Sequence, residues 1–500
     1  MEWEISSATR TAILVTFIVY SIALLVVGFY SKRRMDKTAL DKFVEEFYTG
    51  GRGMGALVIA LMIAAGLCSA GTFLGGPGLG YSVGLAWVMV LFAQNFMNFY
   101  ILGEIGKKVG IVARRINAQS YLDLFVYRYN HNKVVGLIGV VGIVVFLGSY
   151  VVAQFVGGAR LFESMTGQPY WLGLTIFALV VLFYAAFGGI RGVSAAIVIQ
   201  GLVMTAAVLA LFIGGLRFLL PLESSVRSIA EMNPALVTPW TWAPRFQFSM
   251  WVVFGLVMIG LPHGAMGCLV YKDTKAMHRA IVIGTIFVVL WTFALVWMGH
   301  MTKAVFPDLA VPDHAIPTLA MRVLPPWLAG ITLAGVAGAI QSTIGAMVIV
   351  ISSTLVKDAY QAYINPKADP SKLKKVTIWS TVAICIAIFL GALFPPPALE
   401  WIVVFAVGGL ASAFFWPLIL GLYWMKANEH GAAAGMAGGM ATYIIGAGKY
   451  LPITFGMNAI MVSLVVSLAL TVGVSLMTPK TPKGIILTWF GREYPKKVPA

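Results

Sequence analysis

The chain has 500 residues, of which 59% are hydrophobic and 11% are charged, and its formal net charge at pH 7 is +16. A water-soluble domain of this size does not carry so much apolar surface, so the composition excludes a soluble fold and indicates a polytopic membrane protein. The positive charge lies in short loops between hydrophobic segments, which favours a signal for membrane topology over a nucleic-acid binder.

About thirteen hydrophobic segments are predicted to span the bilayer. They lie near residues 12–30, 54–80, 84–106, 134–160, 170–187, 193–216, 249–270, 280–302, 326–356, 376–394, 398–424, 431–448 and 453–477. The first segment has no basic start and no small-residue cleavage site, so we expect a retained helix rather than a signal peptide. With the N-terminus outside, 27 of the 35 Lys and Arg residues fall on the inner side. The positive-inside rule therefore predicts an outer N-terminus and a cytoplasmic C-terminus.

Two of these segments are interrupted by glycine and proline. The first interruption runs from Ala64 to Gly78, and the second runs from Gly260 to Gly267. Gly and Pro leave backbone groups unpaired, which a membrane tolerates only where they face protein or a water-filled cavity. One interrupted span in each half is typical of the midplane site of a secondary transporter. Bent helices that merely allow close packing are the alternative.

The first span and the last two are set aside. The interruptions then divide the remaining ten spans into two halves of five. We predict a single all-α transmembrane domain over residues 1–500, with an extra helix at 12–30 and a first repeat at 54–216. The second repeat covers 249–424, peripheral helices cover 431–477, and a cytoplasmic tail covers 478–500. Because five is odd, the halves have opposite orientations in the membrane, as in an inverted repeat.

Neutral oxygens are the ion ligands that these spans offer. Only 19 residues are acidic, and none lies at the predicted centre of a span, which argues against a proton relay. Ser342, Thr343 and the Ala339 carbonyl lie in the ninth span, and the carbonyls from Ala65 to Cys68 lie at the first interruption. Together they can supply the neutral oxygens that suit Na⁺. The alternative is that the two hydroxyls only bond their own helix or a neighbouring one.

Polar side chains near the interruptions are candidates for contact with a solute. Gln94 lies in the third span, Gln154 in the fourth and His263 at the second interruption. Each can orient a solute with hydroxyl, amide or carboxylate groups, although single amides in membranes often bond a neighbouring helix instead. The spans offer no obvious mid-span Lys or Arg as a counter-ion. A carboxylate would therefore be met by helix N-termini, by His263 or by the charge of the ion.

Several motifs are shared with a known family. They are Phe47-Tyr48-Thr49-Gly50-Gly51-Arg52, Tyr184-Ala185-Ala186-Phe187-Gly188-Gly189, Ser342-Thr343 and Trp416-Pro417-Leu418. On these motifs the chain resembles the sodium:solute symporter family across nearly its whole length. The resemblance implies a LeuT-type core of two inverted five-helix repeats, preceded by one helix. It also implies a transporter rather than an enzyme, which imports a solute with Na⁺ across the cell membrane by alternating access.

The resemblance implies site residues as well. The family's Na⁺ position maps onto Ala65, Cys68, Ala339, Ser342 and Thr343. Its substrate cavity maps onto Thr72, Gln94 and the seventh span around His263. Many members carry an aspartate where this chain has Ile197, so the resemblance favours one Na⁺ per substrate.

The longest matches, among them Gly260-Leu261-Pro262-His263, are to members that carry pantothenate, a monoanion. Pantothenate is therefore the expected solute. The alternatives are another small carboxylate or an amino acid and, in a different class of protein, a membrane sensor or channel that reuses the fold.

Overall fold

A computed structural model describes residues 7–96, 99–394, 399–447 and 454–491. Within these ranges the chain is helical, and its only β-type pairing is an isolated bridge between Met54 and Tyr271. The expected outer N-terminus before residue 7 and the tail after residue 491 lie outside the described residues.

The α-helices are numbered in chain order. In the first half they are α1 (Ser7–Asp36), α2 (Phe43–Thr49), α3 (Ala56–Leu67), α4 (Gly76–Val83), α5 (Leu85–Asn95), α6 (Lys107–Arg115), α7 (Tyr121–Arg128), α8 (Lys133–Gly142), α9 (Gly148–Thr166) and α10 (Tyr170–Leu219). In the second half they are α11 (Leu222–Met232), α12 (Pro244–Trp251), α13 (Pro262–Val270), α14 (Thr274–Thr302), α15 (Ala315–Val323), α16 (Pro326–Ser353), α17 (Pro370–Ala392), α18 (Leu399–Tyr423), α19 (Glu429–Ala447), α20 (Ile460–Met477) and α21 (Lys483–Phe490). Wider π-helical turns join or extend several of them, at Gly71–Gly75, Phe99–Gly106, Ile143–Leu147, Val252–Leu256 and Thr354–Ile364.

The helices agree with the predicted membrane segments. In the described part of the chain, eight helices are long and apolar enough to cross a membrane, or ten if each of two bent pairs is one span. Helix α10 contains two predicted spans, and its backbone leaves the helical region at Gly189 (φ 56°, ψ −154°). A Cβ there would also lie 2.8 Å from the carbonyl oxygen of Phe47, so this position requires glycine. The remaining two predicted spans correspond to α19 and to α5 with the π-helical turns after it, and the total of thirteen stays a prediction.

Both predicted interruptions are bends. The segments Ala56–Gly66 and Gly71–Val83 meet at 66°, and Pro244–Gly260 and Pro262–Val270 meet at 49°. At the first bend Cys68 is extended, and at the second bend Leu261 is extended. Pro262 then starts α13, where its missing N–H costs no helical hydrogen bond. The two repeats that we predict thus each begin with a broken span.

Helix α16 lies at the centre of the protein. Every residue from Thr332 to Ser353 is buried, and the helix packs against α1, α3, α9 and α10. Small residues permit this close approach, since a Cβ at Gly345 would lie 2.8 Å from the Tyr184 ring. The packing of α16 on α3 brings the middle of α16 beside the first bend.

Candidate functional site

Five oxygens meet where α16 passes the first bend, and we call them the oxygen cluster. The Ser342 hydroxyl oxygen lies 3.2 Å from the Ala65 carbonyl oxygen and 3.0 Å from that of Ala339. The Thr343 hydroxyl oxygen lies 3.0 Å from Ala65 O and 2.9 Å from Ala339 O. It lies 3.5 Å from Cys68 O, which is too far for a good O–H···O hydrogen bond. All five residues are fully buried.

The end of α3 explains why carbonyls are available at this point. After the last turn of α3 no further helical turn supplies backbone N–H groups. The carbonyl oxygens of that last turn therefore lack helical hydrogen-bond donors. Ala65 O accepts from the hydroxyls of Ser342 and Thr343 instead. The cluster holds five oxygens but only the two hydroxyl protons, so lone pairs outnumber donors. Such an arrangement suits a small cation.

The ligands of the cluster are of the type that suits a hard cation. Among the residues that the structure describes, no group of three or more His, Cys, Asp or Glu side chains could hold a metal ion. Neutral carbonyl and hydroxyl oxygens are hard ligands, and unwound backbone is a known source of them for Na⁺ in transporters.

Gln154 and Tyr150 on α9 support the first bend. The Gln154 side-chain oxygen accepts from the backbone N–H of Ala70 at 2.7 Å, and the Tyr150 hydroxyl donates to Ser69 Oγ at 3.1 Å. Ser69 Oγ also accepts from the N–H of Gly71 at 3.1 Å. The structure therefore places one end of Gln154 on the backbone of the bend. Its role as a solute contact stays a prediction that rests on its amide nitrogen, which has no partner among the described residues.

A small cavity lies beside the first bend, and we call it the solute cavity. Its polar lining consists of Ser69, Gly71, Thr72, Trp87, Gln94 and Tyr150. Phe254, Met258, Val403 and Val407 supply apolar walls. Only about 10 Å³ is open to the centre of a water molecule. A solute larger than water thus requires the surrounding helices to move apart.

Two side chains on α5 leave polar atoms unpaired at this cavity. Trp87 Nε1 and Gln94 Oε1 are buried and have no partner among the residues described. Buried polar atoms are usually hydrogen-bonded, so each exception needs an explanation such as a ligand. The sequence predicted Gln94 and missed Trp87. The signal was the spacing of Trp87, Leu91 and Gln94, which puts all three on one helix face.

Asn95, next to Gln94, behaves differently. Its side-chain oxygen accepts from the Thr292 hydroxyl on α14 at 2.9 Å. Asn95 therefore joins two helices, which is the structural alternative for single amides in these spans.

His263 lies one side chain away from the solute cavity. Its ring packs edge-on against Tyr150, with 5.9 Å between ring centroids, and Tyr150 lines the cavity. Both imidazole nitrogens are buried and unpartnered within the described ranges. His263 thus contacts a residue of the cavity lining without itself being part of that lining, and its contact with a solute stays a prediction.

A buried carboxylate was not predicted from the sequence. Asp358 is 5% exposed and accepts from the Ser120 hydroxyl at 2.7 Å. The predicted ninth span ended at residue 356, but the helix continues as π-helical turns to Ile364. Charges are rare inside membranes, so the apolar pattern ends before Asp358. Its contact with Ser120, the residue that caps α7, arises from tertiary packing.

A segment outside the candidate membrane spans covers the start of α4. A Cβ at Gly78 would lie 2.9 Å from the backbone nitrogen of Asp313, so this contact requires glycine. Burial raises the pKa of the Asp313 carboxyl above its ordinary value, while the charges of His314 and Arg160 lower it. Burial also lowers the pKa of His314. The loop is thus packed onto the broken span rather than extended into solvent.

The broken helices, the buried oxygen cluster and the adjoining cavity define a membrane transporter with a discontinuous-helix site. Family comparison gives the same class: the sodium:solute symporter family matches residues 47–439. The chain belongs to the sodium:solute symporter family.

Named relatives match most of the chain. It is 38% identical over 480 residues to the sodium/pantothenate symporter of Escherichia coli, covering 93% of this chain and 98% of the relative. It is 40% identical over 418 residues to the sodium/pantothenate symporter of Haemophilus influenzae, covering 82% and 85%. The osmoregulated proline transporter OpuE of Bacillus subtilis is 27% identical, covering 94% and 96%.

Solved structures confirm the LeuT-type fold. A Na⁺-coupled sialic acid symporter in a substrate-bound outward-open state matches with a TM-score of 0.79 at 16% identity, covering 94% of this chain and 98% of that chain. MhsT in complex with L-phenylalanine matches with a TM-score of 0.52 at 15% identity, covering 85% and 98%. At these identities the likeness concerns the fold alone.

Proposed function

We propose that this chain is a secondary active symporter that imports pantothenate together with Na⁺ across the cell membrane by alternating access. The observation that carries the proposal is the oxygen cluster at the first bend, directly beside the solute cavity. The choice of pantothenate is supported by the relatives of that name at 38% and 40% identity.

The proposed coupling depends on the first bend. Na⁺ bound by the carbonyls of Ala65 and Cys68 and by the oxygens on α16 would hold the bend against α16. Only four residues further along the chain, Thr72 lines the solute cavity. Ion and solute therefore act on one short segment, and whichever binds first stabilises the geometry that the other needs.

The cavity offers chemistry that suits pantothenate. Pantothenate has a carboxylate, an amide and two hydroxyl groups, so it both accepts and donates hydrogen bonds. The unpaired Trp87 Nε1–H is a donor, and the unpaired Gln94 Oε1 is an acceptor. We propose these two atoms as solute contacts, with Thr72 beside them and with His263 reached through Tyr150.

Uptake into proteoliposomes tests this function. With purified protein and labelled pantothenate, an inward Na⁺ gradient is expected to drive accumulation above the outside concentration, whereas an equal K⁺ gradient is not. A tenfold Na⁺ gradient contributes about 1.4 kcal/mol per ion, or about tenfold accumulation. Excess unlabelled proline is expected not to compete. Uptake that ignores Na⁺, or that stops only when a proton gradient collapses, would contradict the proposal.

We further propose one Na⁺ per pantothenate. Ile197 is fully buried in α10 and supplies no carboxylate where many family members have one. One Na⁺ and one monoanion move no net charge, so a membrane potential imposed at a fixed Na⁺ gradient is expected to leave accumulation unchanged. A second Na⁺ would add about 2.3 kcal/mol per 100 mV, or roughly 50-fold more accumulation, inside negative. A current proportional to uptake would therefore refute this stoichiometry.

We also propose the orientation with the N-terminus outside and the C-terminus in the cytoplasm. It is supported by the 27 of 35 Lys and Arg residues in the loops on one side. We propose in addition that residues 54–216 and 249–424 form two repeats with opposite orientations in the membrane.

A further inference from the structure

A second cavity lies at the ends of α6, α18 and α21. Its volume is about 390 Å³, and it is lined mainly by Lys108, Ile111, Arg115, Leu422, Trp489 and Phe490. It shares no lining residue with the solute cavity. We call it the α21 cavity, and it lies on the side where the positive-inside rule places the cytoplasm.

Two cations line the α21 cavity, and none of its lining residues is acidic. Arg115 Nη1 donates to the carbonyls of Thr488 and Trp489 at 3.5 and 3.2 Å, which holds the guanidinium against α21. Donors on Nε and Nη2 remain for a ligand. Lys108 Nζ lies 3.4 Å from the Tyr423 ring centroid. Positive charge is therefore held at two positions of α6, seven residues apart.

The nearby acid Glu104 does not line the cavity. It lies one turn before Lys108 and accepts from the Tyr423 hydroxyl at 2.9 Å. The lining itself contains two basic residues and no acidic one.

A neutral donor at the cavity has no acceptor. Trp489 is 3% exposed, and its Nε1–H has no partner in the described part of the chain. The indole nitrogen can only donate, and leaving a buried donor without an acceptor is unfavourable. An acceptor on a ligand would remove that cost.

Helix α21, which forms one wall of the cavity, is held by contacts with neighbouring elements. Arg128 is 1% exposed and donates to Gly421 O at 2.9 Å and Thr481 Oγ1 at 3.4 Å. The Trp489 ring stacks on Tyr127 with 6.4 Å between centroids. The ring contact joins α21 to α7, and the Arg128 bonds join α7 to the end of α18 and to the segment before α21.

We propose that the α21 cavity binds a phosphate group, with Lys108 and Arg115 as charge partners and Trp489 Nε1–H as a neutral donor. A phosphate offers several acceptor oxygens and negative charge, which matches two cations and one orphan donor. Basic cavities between membrane helices on the cytoplasmic side bind lipid head groups by this chemistry. Ile111 is 48% exposed and gives the cavity an apolar edge. The phosphate is that of an anionic lipid head group or a free phosphate ion.

Native mass spectrometry of the full-length protein in detergent separates these sources. The wild type is titrated with phosphatidylglycerol, with phosphatidylcholine and with inorganic phosphate. Tight retention of phosphatidylglycerol over phosphatidylcholine, unaffected by millimolar phosphate, assigns the site to the lipid head group. Displacement of the lipid by micromolar phosphate assigns it to the free ion. Both results support a phosphate site.

Variants decide whether the site lies in this cavity. In Lys108→Gln/Arg115→Gln, the affinity for the retained probe is expected to fall at least tenfold. In Trp489→Phe, which keeps a packed ring, we expect a fall of roughly threefold, as one neutral hydrogen bond is lost. Lys372→Gln/Lys375→Gln removes the same charge from exposed positions on α17 and is expected to behave as wild type. Wild-type affinity in both cavity variants, or equal loss in the control, would overturn the proposal.

Discussion

Replacing Ser342 and Thr343 together by alanine is expected to raise the Na⁺ concentration for half-maximal pantothenate uptake by roughly 10- to 100-fold. Both hydroxyls point at the carbonyl oxygen of Ala65, and their loss removes two of the five oxygens of the cluster. The measurement is initial uptake into proteoliposomes across a Na⁺ titration at fixed pantothenate. Protection of the purified protein by Na⁺ against thermal unfolding is expected to weaken in parallel.

A matched control comes from the same helix. Ser353 is fully buried, and its hydroxyl donates to Val350 O at 2.9 Å within α16. Ser353→Ala therefore removes a buried serine hydroxyl without touching the cluster, and its Na⁺ dependence is expected to match the wild type. If the double variant loses thermal stability but keeps the wild-type Na⁺ titration, the two hydroxyls only brace α16 against the bend.

Replacing Gln94 by leucine is expected to raise the pantothenate KM by at least roughly tenfold at saturating Na⁺. Leucine nearly preserves the volume but removes the unpaired amide oxygen of Gln94, a residue that lines the solute cavity. A pantothenate donor would then be buried without an acceptor, which costs about 1–3 kcal/mol. The measurement is uptake against pantothenate concentration, with the Na⁺ titration repeated as a second readout.

The neighbouring amide supplies the contrast. Asn95→Leu removes the bond to the Thr292 hydroxyl and is expected to lower the melting temperature while leaving the pantothenate KM within about twofold. The two substitutions fall on adjacent residues of one helix. The amide oxygen of Asn95 is hydrogen-bonded to Thr292, whereas that of Gln94 has no partner among the described residues. An equal rise in the pantothenate KM for both variants, or no rise for Gln94→Leu, would show that Gln94 does not form a specific contact with the solute.

The oxygen cluster was predictable because its signals are local. Gly and Pro around the Ala64–Gly78 segment weaken the helix whatever surrounds it, and two adjacent hydroxyl residues in an apolar span stand out. That α16 passes the first bend was implied only by family resemblance, because residues 277 positions apart are joined by packing.

The solute cavity was only partly predictable. Thr72 and Gln94 were named, but Trp87 looked like any aromatic residue in a hydrophobic span, and its importance lies in an indole N–H that finds no acceptor among the described residues. Gln154 and Gln94 are the same residue type in similar surroundings. Only the fold shows that one supports the bend through Ala70 while the other faces the cavity.

The sequence by itself determined the membrane class, the two bends and the candidate Na⁺ ligands, because composition, helix breakers and neutral oxygens act over a few residues. The tertiary structure alone decided which polar atoms are paired. Within the described residues, Gln94 has an unpaired amide oxygen, whereas the amide oxygen of Asn95 is hydrogen-bonded to α14. His263 contacts Tyr150 but does not line the solute cavity. Trp489, which lines the α21 cavity, has an indole N–H that is unpaired in the described part of the chain. The physical reason is that burial and hydrogen-bond partners depend on which helices pack together, and a one-dimensional pattern does not contain those distances.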